Sequence, residues 1–257
     1  MIRLIIAGTV VFLFLVLTLP LLFILWIVGM INSKAKDKAS HAIIKWAFGL
    51  VLFICGTKIT VYGEENVPTD RSVLFTGNHR SIFDILILYV KTTTPTGLIS
   101  KKELAKVPIF NVWMKFIGCL FLDRDDIKQG LKTILKAIDM VKDGMNMAIF
   151  PEGTRNKEEG TFLPFKGGSF KIAEKSGCEI IPFTVIGAAS IFEDHKPKIK
   201  KSHVILCFGE PIPTKGLSRD EIKQIPDKAR ECVINMYNEH SAEVFGPAEE
   251  TKGTEAV

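Results

Sequence analysis

From Leu4 to Ile31 the chain carries no charged side chain. Such a run exceeds the ~20 residues that cross the hydrocarbon core of a bilayer as a helix. A cleaved secretory signal has an apolar core of only about 7 to 15 residues before a small-residue cleavage site, so this run reads as an uncleaved membrane anchor. Pro20 lies near its middle. Proline removes a helical hydrogen bond and clashes with the preceding turn, which leaves the run either kinked or broken into two shorter arms.

A polar connector with Lys34, Lys36, Lys38, His41 and Lys45 follows, and then a second apolar run from Trp46 to Cys55. The second run is too short to cross. It fits an interfacial or re-entrant helix with Trp46 and the lysines at headgroup level, or a core helix of the domain beyond. In the first case the two runs form a hairpin dipping into one leaflet. Only Arg3 precedes the first run while lysines crowd its far side, which puts the rest of the chain in the cytoplasm by the positive-inside rule.

Beyond Gly56 the pattern changes to short β-rich stretches alternating with helical ones. Strands are expected at 58–62, 72–76, 96–100, 119–122, 145–150, 179–185 and 203–208. Helices are expected at 82–90, 127–142, 168–176 and 218–240, with broken helical segments around Pro108. This order specifies an α/β fold: a mixed, largely parallel sheet flanked by helices, with an N-terminal hydrophobic helical anchor. The expected organisation is an anchor at 1–56, one catalytic-sized domain at 57–245, and a polar, disordered tail at 246–257.

The five cysteines are scattered and form no C-x-x-C pair, as reduced cytosolic residues would, and no histidine pair has H-E-x-x-H spacing. Metal-independent chemistry is expected. The chain has a formal net charge of +5 but no basic stripe interleaved with aromatics, which argues against nucleic acid. There is no Walker-type G-x-x-x-x-G-K, no G-x-G-x-x-G after a strand and no G-x-S-x-G elbow.

The chemistry concentrates where strands end. Asn78-His79-Arg80-Ser81-Ile82-Phe83-Asp84 follows an apolar strand and offers an imidazole and a carboxylate five residues apart. On one helix they would point about 140° apart, so His79 belongs in the turn, with Asp84 in the first turn of a helix starting at Ser81. Ser81-x-x-Asp84 also matches a capping box, an alternative role for Asp84. After the strand at 145–150 come Glu152, Gly153, Thr154 and Arg155: a glycine that permits close approach, a hydroxyl, and a guanidinium fork suited to phosphate. Arg124 ends another strand, with Asp123 beside it as a possible ion-pair partner. Lys101 and Lys102 end a third, and Lys166 precedes a helix. A base at one strand end and cations at its neighbours describe a site for a phosphorylated substrate, whereas any one of the lysines taken singly reads more readily as part of a solvated basic face.

Together these residues resemble the glycerolipid acyltransferase family, most closely its bacterial 1-acyl-glycerol-3-phosphate branch. The family's Asn-His-x-x-x-x-Asp motif matches Asn78, His79 and Asp84. The second motif resembles Gly118 to Arg124, the third Phe150 to Arg155, and the fourth, in degenerate form, Ile180-Ile181-Pro182-Phe183. The resemblance implies that His79 is the general base, oriented by Asp84, for attack of a lysophosphatidate hydroxyl on an acyl thioester. It implies that Glu152, Gly153, Thr154 and Arg155 bind glycerol phosphate, assisted by Arg124 and by Lys102 or Lys166. The implied partners are the bilayer, lysophosphatidic acid and an acyl-carrier protein or acyl-CoA as co-substrate, with no bound cofactor. The implied location is the bacterial cytoplasmic membrane with the catalytic domain inside. Another acceptor, such as glycerol-3-phosphate, remains open, as do a hydrolase using the same pair and a membrane lipid-binding protein without catalysis.

Overall fold

The computed structural model describes residues 1–246. The expected disordered tail, apart from Gly246, lies outside them. Three helices come first: α1 (Ile2–Leu17), α2 (Leu19–Ile31) and α3 (Ser33–Cys55). Pro20, second residue of α2, has no N–H to continue α1, and the two helices meet at a bend of 51°. Thr18 occupies the break. Its hydroxyl donates to the Phe14 carbonyl at 2.6 Å and accepts the Trp113 indole N–H at 3.0 Å, which fixes the bend to the body of the protein.

The stretch 46–55 is not a separate short helix. It is the carboxyl half of α3, which begins at an Asn32 cap, runs through the lysine-rich connector and ends at Gly56 in the left-handed region (φ 73°). The connector contains neither glycine nor proline, and its polar side chains find partners along the way. The Lys45 ammonium donates to the Thr92 carbonyl at 2.8 Å, and the Lys36 ammonium sits 5.6 Å from the Phe116 ring centre. Both α3 and the bent α1–α2 pair are long and apolar enough to cross a membrane. They leave large apolar side chains unburied, among them Phe12 (64% exposed), Leu17 (71%), Phe23 (62%) and Phe53 (80%). Exposed apolar surface on this scale is what a helix presents to lipid.

The remaining elements are β1 (Thr57–Tyr62), β2 (Val73–Gly77), α4 (Phe83–Lys91), β3 (Thr96–Lys101), α5 (Phe110–Phe116), β4 (Leu120–Leu122), α6 (Ile127–Lys142), β5 (Asn146–Ile149), α7 (Lys171–Ser176), β6 (Glu179–Ile186), β7 (Ser202–Phe208), α8 (Arg219–His240) and α9 (Ala242–Phe245). The sheet order is β1-β7-β6-β2-β5-β3-β4. β6, β2, β5, β3 and β4 are mutually parallel, β7 is antiparallel to β6, and β1 is parallel to β7. Mixed and largely parallel is therefore the architecture, as expected.

Alternation along β2 divides the core into two layers. Val73 and Phe75 face a cluster shared with α4, α5 and the three N-terminal helices; Leu74 faces the cluster of α6, α7 and α8. Covered on both faces, β2 and β6 carry nearly continuous apolar side chains. Because β2, β5, β3 and β4 are parallel neighbours, their carboxyl ends share one edge of the sheet. That edge receives His79, Glu152, Lys102 and Arg124 from four separate segments. β1 runs the opposite way, so the end of α3 emerges at this same edge.

At Gly77 the main chain of β6 comes so close that a Cβ would sit 2.5 Å from the Phe183 carbonyl oxygen and 2.6 Å from its ring. Gly77→Ala should cost about 1–3 kcal/mol by overpacking. Gly168→Ala, where a Cβ meets nothing within 4 Å, should stay within about 0.5 kcal/mol of wild type. Thermal unfolding of both variants in detergent checks the contrast.

Candidate active site

The turn after β2 is pinned before it reaches His79. Asn78 donates its amide to the Val185 carbonyl at 3.2 Å and accepts from the Val185 N–H at 3.0 Å and the Thr184 hydroxyl at 3.1 Å. A buried side-chain amide thus stands in for a missing rung between β2 and β6. The next residue, His79, is set by three contacts. Its N–H donates to Glu152 Oε1 at 3.0 Å, its carbonyl accepts from the Asn156 N–H at 2.7 Å, and its ring stacks on Phe150 at 4.1 Å between centres.

Asp84 completes the arrangement. It is fully buried, and its Oδ2 accepts from the N–H groups of Arg80 at 2.7 Å and Ser81 at 2.8 Å and from His79 Nδ1 at 3.0 Å. An ionised carboxylate only accepts hydrogen bonds. The proton on the imidazole is therefore on Nδ1, and the lone pair is on Nε2, which has no hydrogen-bond partner among the described residues. Capping and orientation turn out to be one role: Asp84 reaches back to the Ser81 amide as in a capping box and holds the ring with the same oxygen. The reciprocal half differs, since the Ser81 hydroxyl accepts from the Phe83 N–H at 3.0 Å. The helix correspondingly begins at Phe83 rather than Ser81.

The third-motif loop follows β5, adjacent to β2. Glu152, read from the sequence as a substrate ligand, is only 3% exposed, and its carboxylate is turned to the His79 amide instead. Burial pushes its pKa up to about 7, against the opposing pull of that amide. Gly153 has φ 76°, a conformation that favours glycine, and the Lys166 ammonium nitrogen lies 2.8 Å from where a Cβ would stand. Thr154 and Arg155 are exposed beside it. Lys166 is exposed too, its N–H donating to the Pro151 carbonyl at 3.0 Å, ahead of a single 3-10 turn at Gly167–Phe170.

The two outer cations differ from each other. Lys102 is paired with Asp123 at 2.7 Å and Asp125 at 3.5 Å, and this hydrogen bond holds the Asp123 carboxyl below its usual range. Asp123 thus serves Lys102 and not its neighbour Arg124, which is exposed at the end of β4.

Two supporting groups escaped the sequence reading. Glu193 accepts from the Ser81 hydroxyl at 2.6 Å and the Ile82 N–H at 2.9 Å, and lies 3.4 Å from the Arg155 guanidinium. It therefore joins the two motif loops. Arg80 donates to Glu159 at 2.6 Å, to Asp194 at 3.0 Å and to the main chain of 156–157, tying the His79 turn to the following loop. Both depend on pairings across more than seventy residues, which no local spacing signals. The fourth motif forms part of β6: Ile181, Pro182 and Phe183 pair with Phe75, Thr76 and Gly77, and are buried.

A family model described as Acyltransferase matches residues 58–186, spanning β1 to β6. The chain is 33% identical over 155 residues to the 1-acyl-sn-glycerol-3-phosphate acyltransferase of Borreliella burgdorferi, covering 60% of this chain and 62% of that protein. It is 27% identical over 206 residues to the enzyme of the same name from Haemophilus influenzae, covering 77% and 83%. The crystal structure of the 1-acyl-sn-glycerophosphate (LPA) acyltransferase PlsC from Thermotoga maritima superposes with a TM-score of 0.77 at 26% identity, covering 94% of this chain and 95% of that one. Sequence and fold thus agree that the chain belongs to the acyltransferase family.

Proposed function

We propose that this chain transfers an acyl group from a thioester to the sn-2 hydroxyl of 1-acyl-glycerol-3-phosphate, giving phosphatidic acid. The observation that carries the reading is the 3.0 Å contact of His79 Nδ1 with a buried Asp84, which leaves Nε2 as the basic nitrogen. The relatives' names supply the substrate class. Residues 57–245 act as the catalytic domain and 1–56 as its anchor, with the active side facing the cytoplasm, as the lysines after the first apolar run favour.

The steps are those of a direct displacement. His79 Nε2 takes the proton of the acceptor hydroxyl as its oxygen attacks the thioester carbonyl. The C–O ester bond forms and the C–S bond breaks. The imidazolium returns the proton to the leaving sulfur, releasing a free thiol and restoring neutral His79. Asp84 holds the tautomer and stabilises the transient imidazolium. Arg155, Lys166 and Arg124 receive the phosphate, with Thr154 and the exposed backbone at Gly153 alongside. Lys102 joins them only as part of its pair with Asp123, and Glu152 acts through the His79 backbone as a positioning residue. No cofactor enters; the acyl-carrier protein or CoA thioester is consumed as co-substrate.

Purified protein in detergent, given an acyl thioester and a panel of lysophospholipids, should acylate lysophosphatidate in preference to lysolipids lacking a terminal phosphate monoester. Acylation without that preference would overturn the acceptor assignment. His79→Ala should lower kcat about a hundred- to ten-thousand-fold, as loss of a general base does. Arg155→Ala should raise KM for lysophosphatidate roughly ten-fold with little change in kcat, the pattern of a lost phosphate contact.

Glu152 yields a pH dependence. Its ordinary value is 4.5 and its folded value about 7, so the folded chain holds this proton more tightly than the unfolded chain. Stability from this group is therefore present at low pH and lost as pH rises from about 4.5 through 7. Glu152→Gln keeps an acceptor for the His79 N–H and removes the ionisation. Its Tm relative to wild type should rise between pH 5 and pH 8, and a flat difference across that range would contradict the assignment.

A further inference from the structure

Helix α6 is amphipathic twice over. Thr133, Ala137, Ile138 and Val141 pack into the core, as an α/β surface helix requires. On the outward side Ile127 is 88% exposed, Leu131 59% and Leu135 51%, an unpartnered apolar stripe at four-residue spacing. Beside it, one position further along each time, run the exposed Lys128, Lys132 and Lys136. Asp139 is the only acid within the helix. Charged residues would suffice for a merely solvated face; three large aliphatic side chains kept in water on a rigid helix call for a partner.

Position narrows what that partner is. α6 begins just after β4, so its stripe starts at the sheet edge that carries His79. Successive strands lie about 4.8 Å apart, which puts the end of β4 roughly 14 Å from the end of β2. The face is thus near enough for a macromolecule bound on it to deliver a group on a flexible arm. A basic amphipathic helix often lies on a membrane surface. Here, however, α6 covers the Leu74 face of the sheet, whereas the lipid-exposed helices α1, α2 and α3 pack on the Val73 and Phe75 face. A bilayer holding those three helices lies on the other side of the sheet from α6.

We infer that the outward face of α6 is the docking surface for the acyl donor, and that this donor is an acidic carrier protein bearing the acyl thioester. The lysines complement acidic side chains on its surface, and Ile127, Leu131 and Leu135 form the apolar centre of the contact. Asp125 and Asp126 precede the helix, so the complementary charges on the partner align with residues 128–136. The inference rests on the acyltransferase reading and names which of the two donor types the enzyme is built to receive.

The test separates the two claims. Binding of acyl-carrier protein to the immobilised full-length chain in detergent needs no turnover, and it should be salt-sensitive. The variants Lys128→Glu/Lys132→Glu/Lys136→Glu and Leu131→Gln/Leu135→Gln should each weaken it about ten-fold, a typical effect of losing rim charges or an apolar centre. Both should raise KM for acyl-carrier protein to a similar extent while leaving kinetics with acyl-CoA of the same chain within about two-fold. Flotation on anionic vesicles should be unchanged. Unaltered carrier-protein binding in both variants would overturn the docking surface, as would equal losses with both donors. Reduced flotation would reassign the face to the membrane. Carrier-protein binding without transfer from either donor would leave the docking surface standing and overturn the acyltransferase reading instead.

Discussion

One carboxylate oxygen, Asp84 Oδ2, gathers the N–H groups of Arg80 and Ser81 and the Nδ1–H of His79. Two of these bonds are conformational, since they close the turn between β2 and α4 and satisfy amides that a helix start leaves without partners. The third is chemical, because it decides which imidazole nitrogen carries a proton. A helix cap and a histidine–carboxylate pair are usually separate features; sharing one atom couples them. The loop cannot move away from the ring without giving up its own hydrogen bonds, so the fold that forms α4 also sets the tautomer.

A carboxyl group buried this completely needs fixed hydrogen-bond partners, and fixing them falls to neighbouring segments. Glu152 holds the His79 amide from β5, Asn78 locks the strand end to β6, and Glu193 caps Ser81 and Ile82 while touching Arg155. Each contact comes from a different strand end. The parallel arrangement of β6, β2 and β5 is what lets three remote loops converge on one turn, and it is why the site lies on that edge of the sheet.

Sequence periodicity carried the fold well where a single local rule applied. The strand at 73–77 is a short apolar run bounded by turn residues, and the helix expected at 218–240 is present as α8. It failed at α3, where a polar connector and an apolar run were separated by composition although nothing in them breaks a helix. At the candidate site, the pairing of His79 with Asp84 was legible because their residue types and local spacing suggest it. Glu193 was not, being 112 positions from the hydroxyl it accepts. Glu152 was legible as a residue but not in orientation: its place in the third motif suggests a ligand, whereas its carboxylate faces the His79 amide in the turn after β2. Asp123 likewise sits next to Arg124 in sequence, yet strand pairing of β3 with β4 hands it Lys102.

The anchor and the site are linked by strand direction. Because β1 runs opposite to β2, helix α3 finishes at the edge where His79 stands, with Phe53, two residues before its end, 80% exposed. β1 lies three strands from β2 in the sheet, so the end of α3 stands roughly 14 Å along that edge from the His79 turn. On the proposed function, an acceptor whose acyl tail stays in the leaflet would bring its headgroup to Arg155 and Lys166, with its free hydroxyl between phosphate and tail. On the proposed docking surface, a water-soluble donor would approach past β4 and the head of α6. On the proposed function, the topology that gathers the strand-end loops would also keep the two substrates apart, the lipid on the anchor side of the sheet and the thioester on the side of α6.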